Sequence, residues 1–180
     1  MPNYMINPNT LVAVPKFING KCCSCVIHCG RSILIDLSPT ELVQKSLLYF
    51  AKDLKGASHG SKVVLGNVHM CPIIISSQLK MCWFPCNTPD GNPIWFAERH
   101  IIDTIPIGEN QTDVILSFGH IVTVDMCKTH FDRRWGRANR LRKIVTERIY
   151  LQDQFEIDQP QGFIICRDPG KNFYDIKKEE

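Results

Sequence analysis

The sequence predicts an α+β fold built mainly on an antiparallel β-sheet, for which a barrel-like form is one option. One helix is expected after the N-terminal hairpins and a long basic helix near the C-terminus. Three observations predict it. Short apolar runs are separated by Gly, Asn, Asp and Pro turn residues throughout the first two-thirds of the chain. Ser38-Pro39-Thr40-Glu41 is a helix start, with a capping Ser, a first-turn Pro and a Glu three residues on. Phe131, Trp135, Ala138, Leu141, Val145 and Ile149 recur at intervals of three and four, the period of one helix face.

Leu11-Val12-Ala13-Val14 reads as a strand and Ile18-Asn19-Gly20-Lys21 as a tight hairpin, with Cys22 to His28 as the return. Cys29-Gly30-Arg31 turns into Ser32–Asp36. The first helix follows from Ser38, with Leu42, Leu47 and Phe50 or Leu54 on its apolar face, and ends at Gly56. Strands are then expected at Ser61–Leu65, Cys71–Ser76, Leu79–Phe84, Ile94–Phe96, His100–Ile107, Val114–Phe118 and Ile121–Val124. Trp83, Trp95 and Phe96 belong to the core or a sheet face. The basic helix begins near Thr129, and Gly162–Cys166 adds one strand. Residues 1–150 form a single domain and residues 151–180 an acidic tail.

The 180 residues are 44% hydrophobic and 22% charged, which is globular composition and excludes a disordered or fibrous chain. No apolar run reaches the roughly 20 residues that span a bilayer. The start, Met1-Pro2-Asn3-Tyr4, lacks the basic-then-apolar pattern of a secretory signal. A cytoplasmic protein without a membrane partner is expected, and its nine cysteines read as reduced thiols.

The net charge of +3 conceals a strong asymmetry. Residues 1–127 balance, residues 128–148 carry eight cations against Asp132 and Glu147, and residues 149–180 are net acidic. Six of those eight cations are arginines, which pair with phosphate bidentately and enter narrow grooves better than lysines. Arg133, Arg137, Arg140 and Lys143 project opposite the apolar stripe. Arg134 and Arg148 flank it, and Arg142 falls within it. Nucleic-acid contact is the functional reading; binding to a membrane surface or a partner helix competes with it.

Enzyme signatures are sparse. Gly56-Ala57-Ser58-His59-Gly60-Ser61-Lys62 falls one residue short of a phosphate loop, with Ser61 between the second glycine and the lysine. Cys22, Cys23, Cys25, His28 and Cys29, with Cys82 and Cys86, are a candidate zinc or redox set. Alternation along strands instead makes them small buried hydrophobes, so neither metal nor cofactor is assigned.

The succession of motifs resembles the competence transcription factor family, ComK, bacterial DNA-binding activators, from about Thr10 to Arg148. Pro72-Ile73-Ile74, Phe84-Pro85, Ile94-Trp95 and His100 are similar to the family's order of Pro-Ile, Phe-Pro-Thr, Trp-Ile and His. Ile115-Leu116-Ser117-Phe118-Gly119 resembles its Phe-Ser-Asn-Gly turn, and Phe131, Arg137 and Leu141 its Arg-bearing helix. The resemblance implies a non-enzymatic activator of competence-type genes on the bacterial nucleoid. Such a protein binds paired A/T-rich boxes of double-stranded DNA largely through the minor groove, as a dimer or higher assembly. It further implies control by a MecA-like proteolytic adaptor, with Phe163, Ile164 and Ile165 as the segment gripped. Leu54-Lys55-Gly56-Ala57 lacks the Arg that family members often carry there, leaving Lys55 or His59 as a weaker contact. A divergent paralogue that modulates a related activator without productive DNA binding is the alternative.

Overall fold

The Asn19-Gly20 dipeptide fixes the first pairing. In the computed structural model both residues are left-handed, at φ +50° and +78°, as a two-residue hairpin turn demands. They join β1 (Thr10–Ile18) to β2 (Lys21–His28) with Ile18 opposite Lys21. A second two-residue turn, Cys29-Gly30, returns β2 into β3 (Arg31–Ile35). The structure describes residues 4–152, 163–167, 169–170 and 174–178, and the chain divides into two units, residues 1–147 and 148–180.

Helix α1 (Pro39–Tyr49) starts as its sequence requires: Ser38 Oγ accepts the Glu41 N–H, and the Glu41 carboxylate accepts the Ser38 N–H at 2.8 Å. The Ser38 N–H, and after it the Ser38 hydroxyl donating to the same carboxylate at 2.8 Å, hold the Glu41 carboxyl below the usual range. The helix does not run on to Gly56. Ala51 turns left-handed at φ +56°, and Asp53 caps a separate helix α2 (Leu54–Leu65) by accepting the Gly56 N–H. The expected strand at Ser61–Leu65 is therefore the last turns of α2, and two helices follow the hairpins instead of one. A short apolar run such as Val63-Val64-Leu65 fits either structure. The Asp53 cap and Gly66, at φ +88° beyond the C-terminus, decide for helix.

Three further strands, β4 (Ile73–Ser76), β5 (Met81–Cys86) and β6 (Ile94–Ala97), complete an antiparallel sheet of order β3-β2-β1-β6-β5-β4. A second sheet holds β7 (Ile101–Ile107), β8 (Gln111–Leu116) and β9 (Ile121–Val124) in that order. Both sheets are open, with β3 and β4 at the edges of the first. Helix α3 (Lys128–Gln152) follows.

Both faces of the six-stranded sheet are covered, which is why every residue of β5 and β6 is buried. Period-two alternation sends Ala13, Val26, Trp83 and Trp95 to the face that meets Leu42, Val43 and Leu47 of α1. Val12, Cys82, Phe84 and Phe96 go to the other face, where Phe131, Ala138 and Leu141 of α3 meet Val114, Leu116 and Val124 of the second sheet. Trp95 Nε1 donates to Thr40 Oγ1 at 3.2 Å, satisfying the indole's polar end. In the unit of residues 148–180, β10 (Phe163–Arg167) pairs antiparallel with β11 (Tyr174–Lys178), two strands where the sequence indicates one.

Ser38→Ala removes one half of the α1 cap and is expected to lower stability by about 1 kcal/mol, read as a shift in the urea midpoint without change in slope.

Candidate nucleic-acid interface

Helix α3 is held by one face. Phe131 packs edge-on against the stacked pair Phe84 and Phe96, with ring centroids 5.7 and 5.4 Å away. Ala138 has no bulk to keep the sheet away, and Cys82 Sγ donates to its carbonyl at 3.4 Å. Leu141 is fully buried, Trp135 and Val145 pack at the margin, and Ile149 at the end of the stripe is exposed. Fully burying side chains of this size contributes about 2–3 kcal/mol each.

Polar contacts then fix the helix's rotation. Arg142 donates to Glu98 through Nε at 2.7 Å and Nη2 at 3.2 Å. Glu98 is only 3% exposed, so the pair sits mostly out of water. The Glu98 carboxylate, through this hydrogen bond, holds the Arg142 guanidinium above its already high ordinary value. Trp135 Nε1 donates to the Glu98 carbonyl at 3.3 Å, and Arg134 Nη1 donates to the Pro85 carbonyl at 3.1 Å. At the helix start Lys128 bonds Asp132 and Thr104, so its charge is met locally.

The basic residues thereby separate into two sets. Arg134 and Arg142 are engaged with the protein's own backbone and carboxylate. Arg133, Arg140 and Lys143 are exposed and Arg137 is half-buried on the outward side. Lys143 approaches Glu147 only at 4.0 Å, a surface pair of little energetic weight. Among the described residues no carboxylate pairs with Arg133, Arg137 or Arg140. At 100° per residue these three lie within about 60° of arc, and from Arg133 to Arg140 they span about 10 Å of axis. That length covers about three phosphates of one DNA strand.

Lys55 does not join this set. It lies in the first turn of α2, exposed, in a hollow with Gln44, Leu54 and Ser58, whereas Lys52 borders the groove toward α3. The stretch Gly56–Lys62 that nearly matches a phosphate loop is helical. His100 bridges, with Nε2 2.7 Å from the Pro8 carbonyl and Nδ1 3.2 Å from Ser117 Oγ, so it ties the N-terminal segment to the end of β8. Sequence reasoning missed Glu98 as the anchor of α3. The signal was Arg142 itself, a cation inside an apolar stripe that needs a buried anion. Phe163, Ile164 and Ile165 are exposed on β10.

Among the described residues no three His, Cys, Asp or Glu side chains are grouped to hold a metal ion. Cys82 and Cys86 point into the core, where burial pushes the Cys82 thiol well up and the Cys86 thiol up to about 12. No helix among the described residues is long and apolar enough to cross a membrane.

Two outcomes test this picture. Arg142→Met strands a buried carboxylate and is expected to cost about 3 kcal/mol, with much of the loss recovered in the Glu98→Met/Arg142→Met double variant, by denaturant titration. Iodoacetamide at pH 8, followed by peptide mass spectrometry, is expected to leave Cys82 and Cys86 unmodified until the protein is unfolded.

Comparison with known proteins converges on one family. The chain is 23% identical over 150 residues to a competence transcription factor of Bacillus subtilis (strain 168), covering 83% of this chain and 78% of that protein. No solved structure matches. The family model described as ComK protein matches residues 1–150, from ahead of β1 to the last turn of α3. A helix locked to the sheet by Phe131 and Arg142, with Arg133, Arg137 and Arg140 on its outer side, is thus carried by a chain that belongs to the ComK family.

Proposed function

We propose that this protein is a competence-type transcription regulator, a non-catalytic, sequence-specific DNA-binding activator that engages paired A/T-rich boxes largely through the minor groove. The observation that carries the reading is the outward arc of Arg133, Arg137 and Arg140, unneutralised among the described residues and held by a rigidly docked helix. Family membership and the regulatory relative support the coarser part of it. The DNA-binding domain is residues 1–150, working in the cytoplasm on the nucleoid.

Physical chemistry favours this partner. A narrow A·T-tract minor groove has enhanced negative potential that draws guanidinium groups into it. The groove is about 6 Å wide, too narrow for a helix. α3 therefore rides over the backbones and reaches inward with side chains. Arg133, Arg137, Arg140 and Lys143 reach the phosphates and the groove between them. Arg134, Arg142 and Lys55 are the lesser contacts, since Arg134 and Arg142 also bind the protein's own chain and Lys55 stands on α2. Two boxes call for two copies, so the active form is a dimer or larger. The exposed Phe163-Ile164-Ile165 segment is the grip for a MecA-like proteolytic adaptor.

Arg137→Ala/Arg140→Ala is expected to weaken binding to a duplex with paired A/T tracts at least tenfold. It should also reduce the slope of log K against log salt by about 0.9 for each phosphate no longer neutralised. Replacing A·T by inosine·cytosine pairs, which keep the A·T-like minor groove, should preserve binding. Unchanged affinity in the double variant would overturn the residue assignment. Equal binding to A·T-rich and G·C-rich duplexes would favour a protein that modulates a related activator without productive DNA binding.

A further inference from the structure

A groove of about 490 Å³ separates α2 from α3 over β4, within the 300–1,000 Å³ of typical small-molecule sites. Its walls are apolar: Ala57 and Val64 from α2, Ile74 from β4, Leu141 and Val145 from α3. On the α2 side Gly60 leaves the space open, since a Cβ built there meets nothing within 4 Å. Helices that pack directly interdigitate side chains across such a gap; here the gap is unfilled and lined by groups that gain from leaving water.

The mouth carries one cation, Lys52, with no carboxylate in contact with it among the described residues. The Lys52 ammonium has the Ile75 carbonyl at 3.5 Å as its polar partner, and no carboxylate among the described residues pairs with it. Lys52 is exposed, and the desolvation that its ammonium meets at the groove edge lowers it below the usual lysine range. Asp53 also borders the groove, but its carboxylate accepts the Gly56 N–H and sits against the positive end of α2. Ser61 Oγ is spent inside the helix, donating to the Ala57 carbonyl at 3.0 Å. The Asp53 carboxylate is thus turned to the helix end, and Lys52 is the cation at the edge of the apolar trough whose hydrogen-bond partner is a carbonyl alone.

We propose that this groove binds a small amphiphilic carboxylate, its chain lying between Ala57, Val64, Leu141 and Val145 and its head group on Lys52. A medium-length alkyl chain suits a groove of this size. The inference is independent of the DNA-binding reading, because it rests on the groove alone.

The test is isothermal titration of the full chain with decanoate, decan-1-ol and decylammonium, each kept below its aggregation concentration. Decanoate is expected to bind saturably with one site per chain, and decylammonium at least tenfold more weakly. Lys52→Met should weaken decanoate about tenfold while leaving decan-1-ol unchanged. Gly60→Leu fills the groove with a better helix former, so decanoate binding should vanish while the thermal midpoint holds; Val64→Phe fills the same space should that variant fail to fold. Retained decanoate binding in a folded groove-filled variant would overturn the proposal. So would equal binding of decylammonium, an unaltered Lys52→Met, or no saturable site.

Discussion

The docking of α3 is the constraint on which the rest of the structure depends. A 25-residue helix with this many cations has little reason to be stable alone, since like charges on adjacent turns repel. It is held because Phe131, Ala138 and Leu141 leave water against Phe84 and Phe96, on strands that already sit at the centre of the larger sheet. Removing apolar surface from water is non-directional, however, and a stripe of apolar residues tolerates rotation by tens of degrees. The Arg142–Glu98 ion pair removes that tolerance. A misrotated helix would bury a carboxylate without its counterion, at a cost of several kcal/mol.

From this follows the division of labour among chemically identical side chains. Arg134 and Arg142 satisfy a carbonyl and a carboxylate inside the protein; Arg133, Arg137 and Arg140 face outward. A guanidinium turned outward from a fixed helix loses less conformational entropy on meeting a phosphate than one on a loop, because the backbone is already ordered. The same anchoring places Leu141 and Val145 on the wall of a groove that α2 leaves unfilled. One helix thus presents charge on its outer side and an apolar trough along its flank.

The chemistry of the cysteines illustrates how position overrides count. Nine thiols invite a metal or redox reading. Cys82 and Cys86 instead occupy alternate positions on one face of β5 among aromatic rings, where a thiolate would lack solvation. Cys23 sits beside Asp36, at 3.6 Å, and burial, with that negative neighbour, keeps its thiol protonated more firmly than usual. The residues behave as small apolar fillers because of where the strands put them.

Local rules wrote part of this protein directly into its sequence. The Asn19-Gly20 turn, the Ser38–Glu41 cap and the period of α3 each depend on neighbours within a few residues, so the antiparallel strands, α1 and the basic helix were legible without a structure. The ambiguous run Val63-Val64-Leu65 was not, because its apolar residues fit a strand and a helix alike until the Asp53 cap was seen in place. Which arginines face outward was equally hidden. Helical periodicity ranks residues around an axis, but it cannot name the buried carboxylate 44 positions away that captures Arg142. Long-range burial decided that, through the cost of leaving a charge in a low-dielectric interior without its partner.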